Sequence, residues 1–203
     1  MAAPDAPIPP SVRLPAAERR RQLLDRALAI FAANGFHATS MNDVAEAAGV
    51  TKPVLYQHFA SKRELYVELL DDVGDQLQTV ILKATAAAEG PRQQVEAGFA
   101  AYFRHVDRNR SAFTLLFGSG ARLDREFTEV VRRVEAAIAG VVIDLIDADV
   151  DELHRRIIAF GVVGLAESTS RHWIAEDLEL DPEALARQVG ELAWAGLRGV
   201  RPL

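Results

Sequence analysis

Apolar residues recur every three or four positions along nearly all of this 203-residue chain, and no stretch alternates apolar and polar at every second residue. That period builds helices that each bury one stripe, and it offers nothing from which to pair a sheet. Leu23, Ala27 and Phe31, with Leu24 and Leu28 alongside, make one stripe. Val95, Phe99, Tyr102, Phe103 and Val106 make another, and Phe127, Val130, Val131, Val134, Ile138, Val141, Val142 and Leu145 a third. Punctuation falls between the stripes at Asn34-Gly35, Gly49, Gly90-Pro91, Gly118-Ser119-Gly120 and Asp181-Pro182. The pattern predicts an all-α chain of about nine helices. Residues 1–14 hold four of the nine prolines and no stripe, and read as a disordered arm.

Apolar residues make up 49% of the chain and charged residues 26%, enough for a packed core. There is no cysteine, so disulfides, thiolate metal ligands and cysteine nucleophiles are excluded. The longest uncharged apolar run, Ile157–Ala166, is too short to span a bilayer. The start carries neither a basic nor an apolar leader segment, so we expect a cytoplasmic protein with no membrane partner. The net charge of −6 argues at first sight against a polyanionic partner, but its distribution is uneven. Residues 1–65 carry eight Lys/Arg against six Asp/Glu, and the remainder 15 against 23. A slightly basic end on an acidic body suits an oriented approach to nucleic acid, without establishing one.

The functional signal lies near the N-terminus. A helix opening after Pro15 ends at Asn34-Gly35. Ser40 is a natural N-cap for a short helix over Met41–Ala48, with Asp43 in its first turn and Gly49 to end it. Thr51 then caps a third helix, with Pro53 in its first turn, running to about Phe59. Ser61-Lys62-Arg63-Glu64 is a capping box ahead of Leu65, Leu69 and Leu70, and starts a long helix to about Ala88. Helix, short helix, glycine turn and short helix form the helix-turn-helix layout. Leu55 and Phe59 face the core, which leaves Thr51, Lys52, Tyr56, Gln57 and His58 outward, with the donors and acceptors a major groove can read. Thr39 and Ser40 sit at a helix N-terminus, where free N–H groups attract phosphate, and Lys62 can meet the other flank of the groove.

Phe31-(x)3-Gly35-Phe36-(x)2-Thr39-Ser40, Val44-Ala45-(x)2-Ala48-Gly49-Val50 and Leu55-Tyr56-Gln57-His58-Phe59-(x)2-Lys62-(x)2-Leu65 resemble the signature of the TetR family. The resemblance covers residues 16–66. It implies nine helices, a homodimer, a double-stranded palindromic operator and transcriptional control, usually repression relieved by a small molecule, with activation as the alternative. It implies that Thr39, Ser40, Tyr56, His58 and Lys62 contact phosphate, and that Thr51, Lys52, Pro53 and Gln57 lie where bases are read. Position 53 is often glycine in the family. Proline here stiffens the recognition helix and removes one N–H donor.

On this reading residues 15–64 form the DNA-binding domain and residues 65–203 a ligand-binding and dimerisation domain. Phe99, Tyr102, Phe103, Phe113, Leu116, Phe117 and Phe127 cluster in the middle helices, where the family has its effector pocket. A pocket so lined favours a large apolar ligand. The helix after Asp151 is apolar on every side between Ile157 and Ala166 and must be buried all round. Gly161, Gly164, Leu165 and Ser168 on it, with Leu185, Val189, Leu192, Ala193 and Gly196 on the last helix, are expected to pair with their copies in a dimer. Lys52–Phe59, Arg171-His172-Trp173 and Ala193–Leu197 resemble actinobacterial TetR-type regulators of fatty-acid synthesis, which implies a long-chain acyl-CoA as effector.

Two rivals stand beside this reading. An enzyme lacks its usual marks: the five histidines show no H-x-x-x-H or H-E-x-x-H spacing, and there is no G-x-S-x-G elbow. The cluster Asp147, Asp149, Asp151 and Glu152 reads as a helix start with solvated charge. A helical lipid carrier without a DNA role explains the apolar middle helices, but not the polar outward face of so short a capped helix. No catalytic residue, metal ligand or cofactor is expected.

Overall fold

A computed structural model describes residues 15–122, 124–146 and 149–200; the expected N-terminal arm lies outside them. The elements are α1 (Ala16–Ala38), α2 (Met41–Ala47), α3 (Lys52–Tyr56), α4 (Lys62–Ala86), α5 (Pro91–Arg108), α6 (Arg110–Phe117), α7 (Ser119–Arg122), α8 (Arg125–Leu145), α9 (Glu152–Ala175) and α10 (Pro182–Leu197). Among the described residues the fold is all-α, as expected. The element beyond the expected nine is α7, a single turn where the sequence suggested a plain break at Gly118–Gly120.

Most of the expected stops and starts have a visible mechanism. Gly35 takes φ 78° and interrupts α1, and Gly49 takes φ 64° in the turn after α2. Both are left-handed conformations that glycine adopts without a Cβ penalty. Ser40 Oγ accepts from the Asp43 N–H, while the Asp43 carboxylate accepts from the Ser40 N–H at 2.8 Å, closing a capping box. Those bonds hold the Asp43 carboxyl below the usual carboxylate range. Ser61 caps α4 by accepting from Glu64, but the Glu64 side chain reaches back one residue further than expected, to the Ala60 N–H. Asp124, Asp151 and Asp181 cap α8, α9 and α10, so the acidic cluster before α9 includes a helix cap. Thr51 stands at the N-cap of α3, but its hydroxyl makes no capping bond. The α-helix of α3 stops at Tyr56 rather than Phe59, and residues 57–59 continue as a tighter turn.

α1 to α3 fold over the start of α4, and α4 runs on between α5 and α8. Its 25 residues reach about 37 Å at 1.5 Å per residue, so one helix contacts α1, α5, α6 and α8. It lies close to α8 at Gly74, where a Cβ would lie 2.3 Å from Cγ2 of the buried Val134. No helix among the described residues is long and apolar enough to cross a membrane.

Gly74→Ala therefore sets a gain in helix propensity of about 1 kcal/mol against overpacking that typically costs about 1–3 kcal/mol. Because Val134 is β-branched and cannot swing aside, the clash is expected to win, lowering the urea midpoint. Val134→Ala in the same chain is expected to cost less on the Gly74→Ala background than alone, which a double-mutant cycle of urea melts measures.

Candidate functional site

Leu23, Ala27, Phe31, Val44, Ala45, Leu55 and Phe59 are buried together and fix the angle of α3. The outer face of α3 carries Thr51, Lys52, Pro53 and Gln57, all exposed, with Tyr56 43% exposed and His58 half-buried. The Lys52 ammonium lies 5.9 Å from the Tyr56 ring centre. Tyr56 is thus not a core aromatic. Ser40 is also exposed, at the start of α2.

Two of the expected phosphate contacts are placed differently. Thr39 is 1% exposed, and its hydroxyl donates to the Gly35 carbonyl at 2.8 Å. The Lys62 ammonium donates to the carbonyls of Phe36 and Thr39, each at 2.8 Å, and lies 4.4 Å from the Phe36 ring centre. The end of α1 leaves carbonyls without helical partners, and Lys62 satisfies them. Both residues therefore shape the turn between α1 and α2 from inside.

A residue not singled out in the sequence holds the other end of α3. Arg20 pairs with Glu68 of α4, donates to the His58 carbonyl and covers the Phe59 ring at 4.4 Å. It continues the apolar stripe of α1 one turn before Leu23 and Leu24, and a cation in such a stripe signals a partner. At the start of α4, Arg63 pairs with Asp124 and Glu126 at the start of α8 and lies 4.9 Å from the Phe127 ring centre. The Arg63 guanidinium holds the Asp124 carboxyl below its ordinary range. Phe127 also meets Phe36 at 4.9 Å and Tyr66 at 4.6 Å, so it is an aromatic joint beside the helix-turn-helix rather than a pocket wall. Burial pushes the Tyr66 hydroxyl pKa up to about 12.

A cavity of about 520 Å³ opens among α4, α5, α6, α8, α9 and α10. Phe99, Tyr102 and Phe117 line it. Phe103 lies behind them against Trp173, with ring centres 6.2 Å apart, Phe113 packs on Phe117, and Leu116 is fully buried away from the cavity. Much of the wall is aliphatic instead, including Ile81, Ile138, Val142, Leu145 and Val163. An aromatic cluster marks only part of such a wall, because isolated aliphatic residues on a stripe look the same whether they face a neighbour or a cavity.

The last two helices split the residues expected at a dimer face. Gly161, Gly164, Ser168, Leu192 and Gly196 are exposed, and Leu165 is half-buried. Leu185, Val189 and Ala193 are buried, because that stripe of α10 packs on α5 of the same chain. Nor is α9 buried all round in one chain: Leu153, Ile157 and Phe160 are exposed, Ile157 by 61%.

The family model described as bacterial regulatory proteins, tetR family, matches residues 23–69. One described as Tetracyclin repressor-like, C-terminal domain, matches residues 91–196. The HTH-type transcriptional activator FasR of Mycolicibacterium smegmatis is 35% identical over 93% of this chain and 87% of its own. The HTH-type transcriptional repressor KstR2 of Rhodococcus jostii is 26% identical over 91% of this chain and 80% of its own. A TetR-like transcriptional regulator from Rhodococcus sp. RHA1 superposes with a TM-score of 0.76 at 28% identity, covering 93% of this chain and all of that one. The regulator FadR from Bacillus subtilis, solved in complex with stearoyl-CoA, superposes with a TM-score of 0.77 at 17% identity, over 89% of this chain and 99% of its own.

The different placements of Lys52 and Lys62 make a contrast that melts and DNA titrations can read. Lys62→Met removes two carbonyl partners and is expected to cost about 1–2 kcal/mol of stability. Lys52→Ala, at an exposed position, is expected to leave the melting temperature within a degree or so while weakening DNA binding. Arg20→Leu is expected to weaken DNA binding without touching DNA, by loosening the end of α3.

Proposed function

This chain belongs to the TetR family of bacterial regulatory proteins, a family of DNA-binding transcription regulators and not of enzymes, and we propose that it acts as a homodimer on a palindromic operator under the control of a long-chain acyl-CoA. The observation that carries the DNA part is the outer face of α3, a row of exposed polar and aromatic side chains held by a buried core and by Arg20. In our reading Ser40, Tyr56 and His58 meet phosphates, and Thr51, Lys52, Pro53 and Gln57 lie along base edges. Residues 15–64 serve as the DNA-binding unit and the remainder holds effector and partner. The exposed apolar stripe of Leu153, Ile157, Phe160, Gly161 and Gly164 on α9, with Leu192 and Gly196 on α10, is the face we assign to the second copy.

The apolar cavity supports an effector with a long hydrocarbon part, and the stearoyl-CoA bound to a protein of the same fold supports the acyl-CoA class. Ile81 and Thr85 of α4 line the cavity, while the other end of α4 carries Lys62, Arg63 and Glu68 beside the helix-turn-helix. A ligand that displaces the cavity end of α4 therefore changes the spacing of two DNA heads. As to sign, the 35% identical relative is named an activator, which favours activation over the repression usual in the family.

Selection from random DNA by the full chain is expected to yield a palindrome with half-sites about one helical turn apart. A thermal-shift series with saturated acyl-CoAs is expected to show stabilisation that grows with chain length. Run-off transcription from a promoter bearing the selected site then gives the sign. No enrichment of DNA would overturn the assignment of α3, and a flat thermal-shift series the assignment of the cavity.

A further inference from the structure

The wall of the cavity changes from buried to exposed along its length, and three helices agree on the direction. On α5, Phe99 and Tyr102 are buried, Gln94 and Val95 are half-buried, and Pro91 is exposed. On α8 the buried Ile138 gives way to the half-buried Val142 and Leu145, and past the helix Asp149 is exposed. On α10 the half-buried Trp194 is followed one turn later by the exposed Arg198, the C-cap. The cavity therefore opens to solvent where α5 begins and where α8 and α10 end. Its charges are spread unevenly along that axis. Glu167, from α9, is buried and held by Arg171. Asp149 and Arg198 stand at the mouth, and neither makes an ion pair or a side-chain hydrogen bond with a described residue. Arg198 is thus the one cation among the described residues of the wall, and no acid neutralises it.

We propose that Arg198 holds an anionic head group at the mouth, so that the cavity takes a long apolar chain ending in a phosphate or a carboxylate. The inference rests on the cavity being the effector site. The apolar wall accepts the chain but gives a charged head no partner, and taking a charge out of water without one is costly. The head therefore stays at the mouth. There the guanidinium offers a planar set of donors that matches either anion in bidentate fashion. The wall then reads the length of the chain, and Arg198 reads the charge at its end.

The test uses the full chain as wild type, Arg198→Gln and Arg198→Lys, titrated below micelle-forming concentrations with two pairs of probes. Palmitoyl-CoA is set against S-palmitoyl-pantetheine, which keeps the thioester but has no phosphate, and palmitate against hexadecanol. At low salt the wild type is expected to prefer the anionic member of at least one pair by about 3–10-fold, the worth of one charge-assisted contact at a partly exposed site. That preference is expected to shrink as salt rises. Arg198→Gln is expected to erase it while binding the uncharged probes as the wild type does, and Arg198→Lys to restore most of it. A preference confined to the first pair identifies a phosphate, one confined to the second a carboxylate, and one in both a site for either anion. The same preference in wild type and Arg198→Gln, or none in either pair, overturns the proposal and leaves the cavity's role standing. Weaker binding of the uncharged probes by Arg198→Gln also overturns it, because Arg198 then shapes the cavity instead of meeting the head. Failure of all four probes to bind any of the proteins overturns the proposal together with the effector reading on which it rests.

Discussion

Val134 occupies the space that a side chain at position 74 would need, and the rest of the architecture is arranged around that contact. It lets α4 and α8 run at close range, with the start of α8 within reach of the start of α4. There Arg63 is tied to Asp124 and Glu126, and Phe127 enters the aromatic group of Phe36 and Tyr66. The same long helix forms part of the cavity wall about five turns further on. A helix with a backbone-to-side-chain contact at its middle and ion pairs at one end behaves as a stiff member, because packed interfaces repack in steps rather than bend smoothly.

The helices, their order and most of their ends were legible because they rest on local chemistry. Ser40, Ser61, Asp151 and Asp181 bond to amides two or three residues away, and a left-handed glycine announces its turn wherever it stands. What a side chain does at long range was harder to read. Nothing in the sequence around Lys62 shows that its ammonium bonds two carbonyls, because these lie 26 and 23 residues earlier in the chain. The bond of the Thr39 hydroxyl to the Gly35 carbonyl is likewise a matter of packing. Phe127, Phe103 and Phe113 share stripes with true wall residues, and only packing decides which of several apolar faces borders a void. On α10 the sequence presented one stripe, Leu185, Val189 and Ala193, where the fold has two uses: that stripe meets α5, and its neighbour, with Leu192 and Gly196, stays open.

The basic excess near the N-terminus also takes on another meaning once the partners are known. Arg20, Arg21, Lys62 and Arg63 are each engaged within the chain, with Glu68, with Asp25 and Asp72, with two carbonyls, and with Asp124 and Glu126. Arg20 holds the end of the recognition helix, and the others tie α1, α4 and α8 to one another, instead of covering the recognition surface with charge.

One consequence concerns ionic strength. Each phosphate neutralised by a lysine or arginine frees condensed counterions, and log affinity falls with log salt in proportion to the number neutralised, by about 0.9 per contact. A head that engages Arg20, Arg21, Lys62 and Arg63 internally, and presents Lys52 among hydroxyl, amide and phenol groups, would release fewer counterions on docking than its number of basic residues suggests. On the docking proposed for α3, the slope of log affinity against log salt is then set by the few cations left outside internal contacts, not by the total of basic residues.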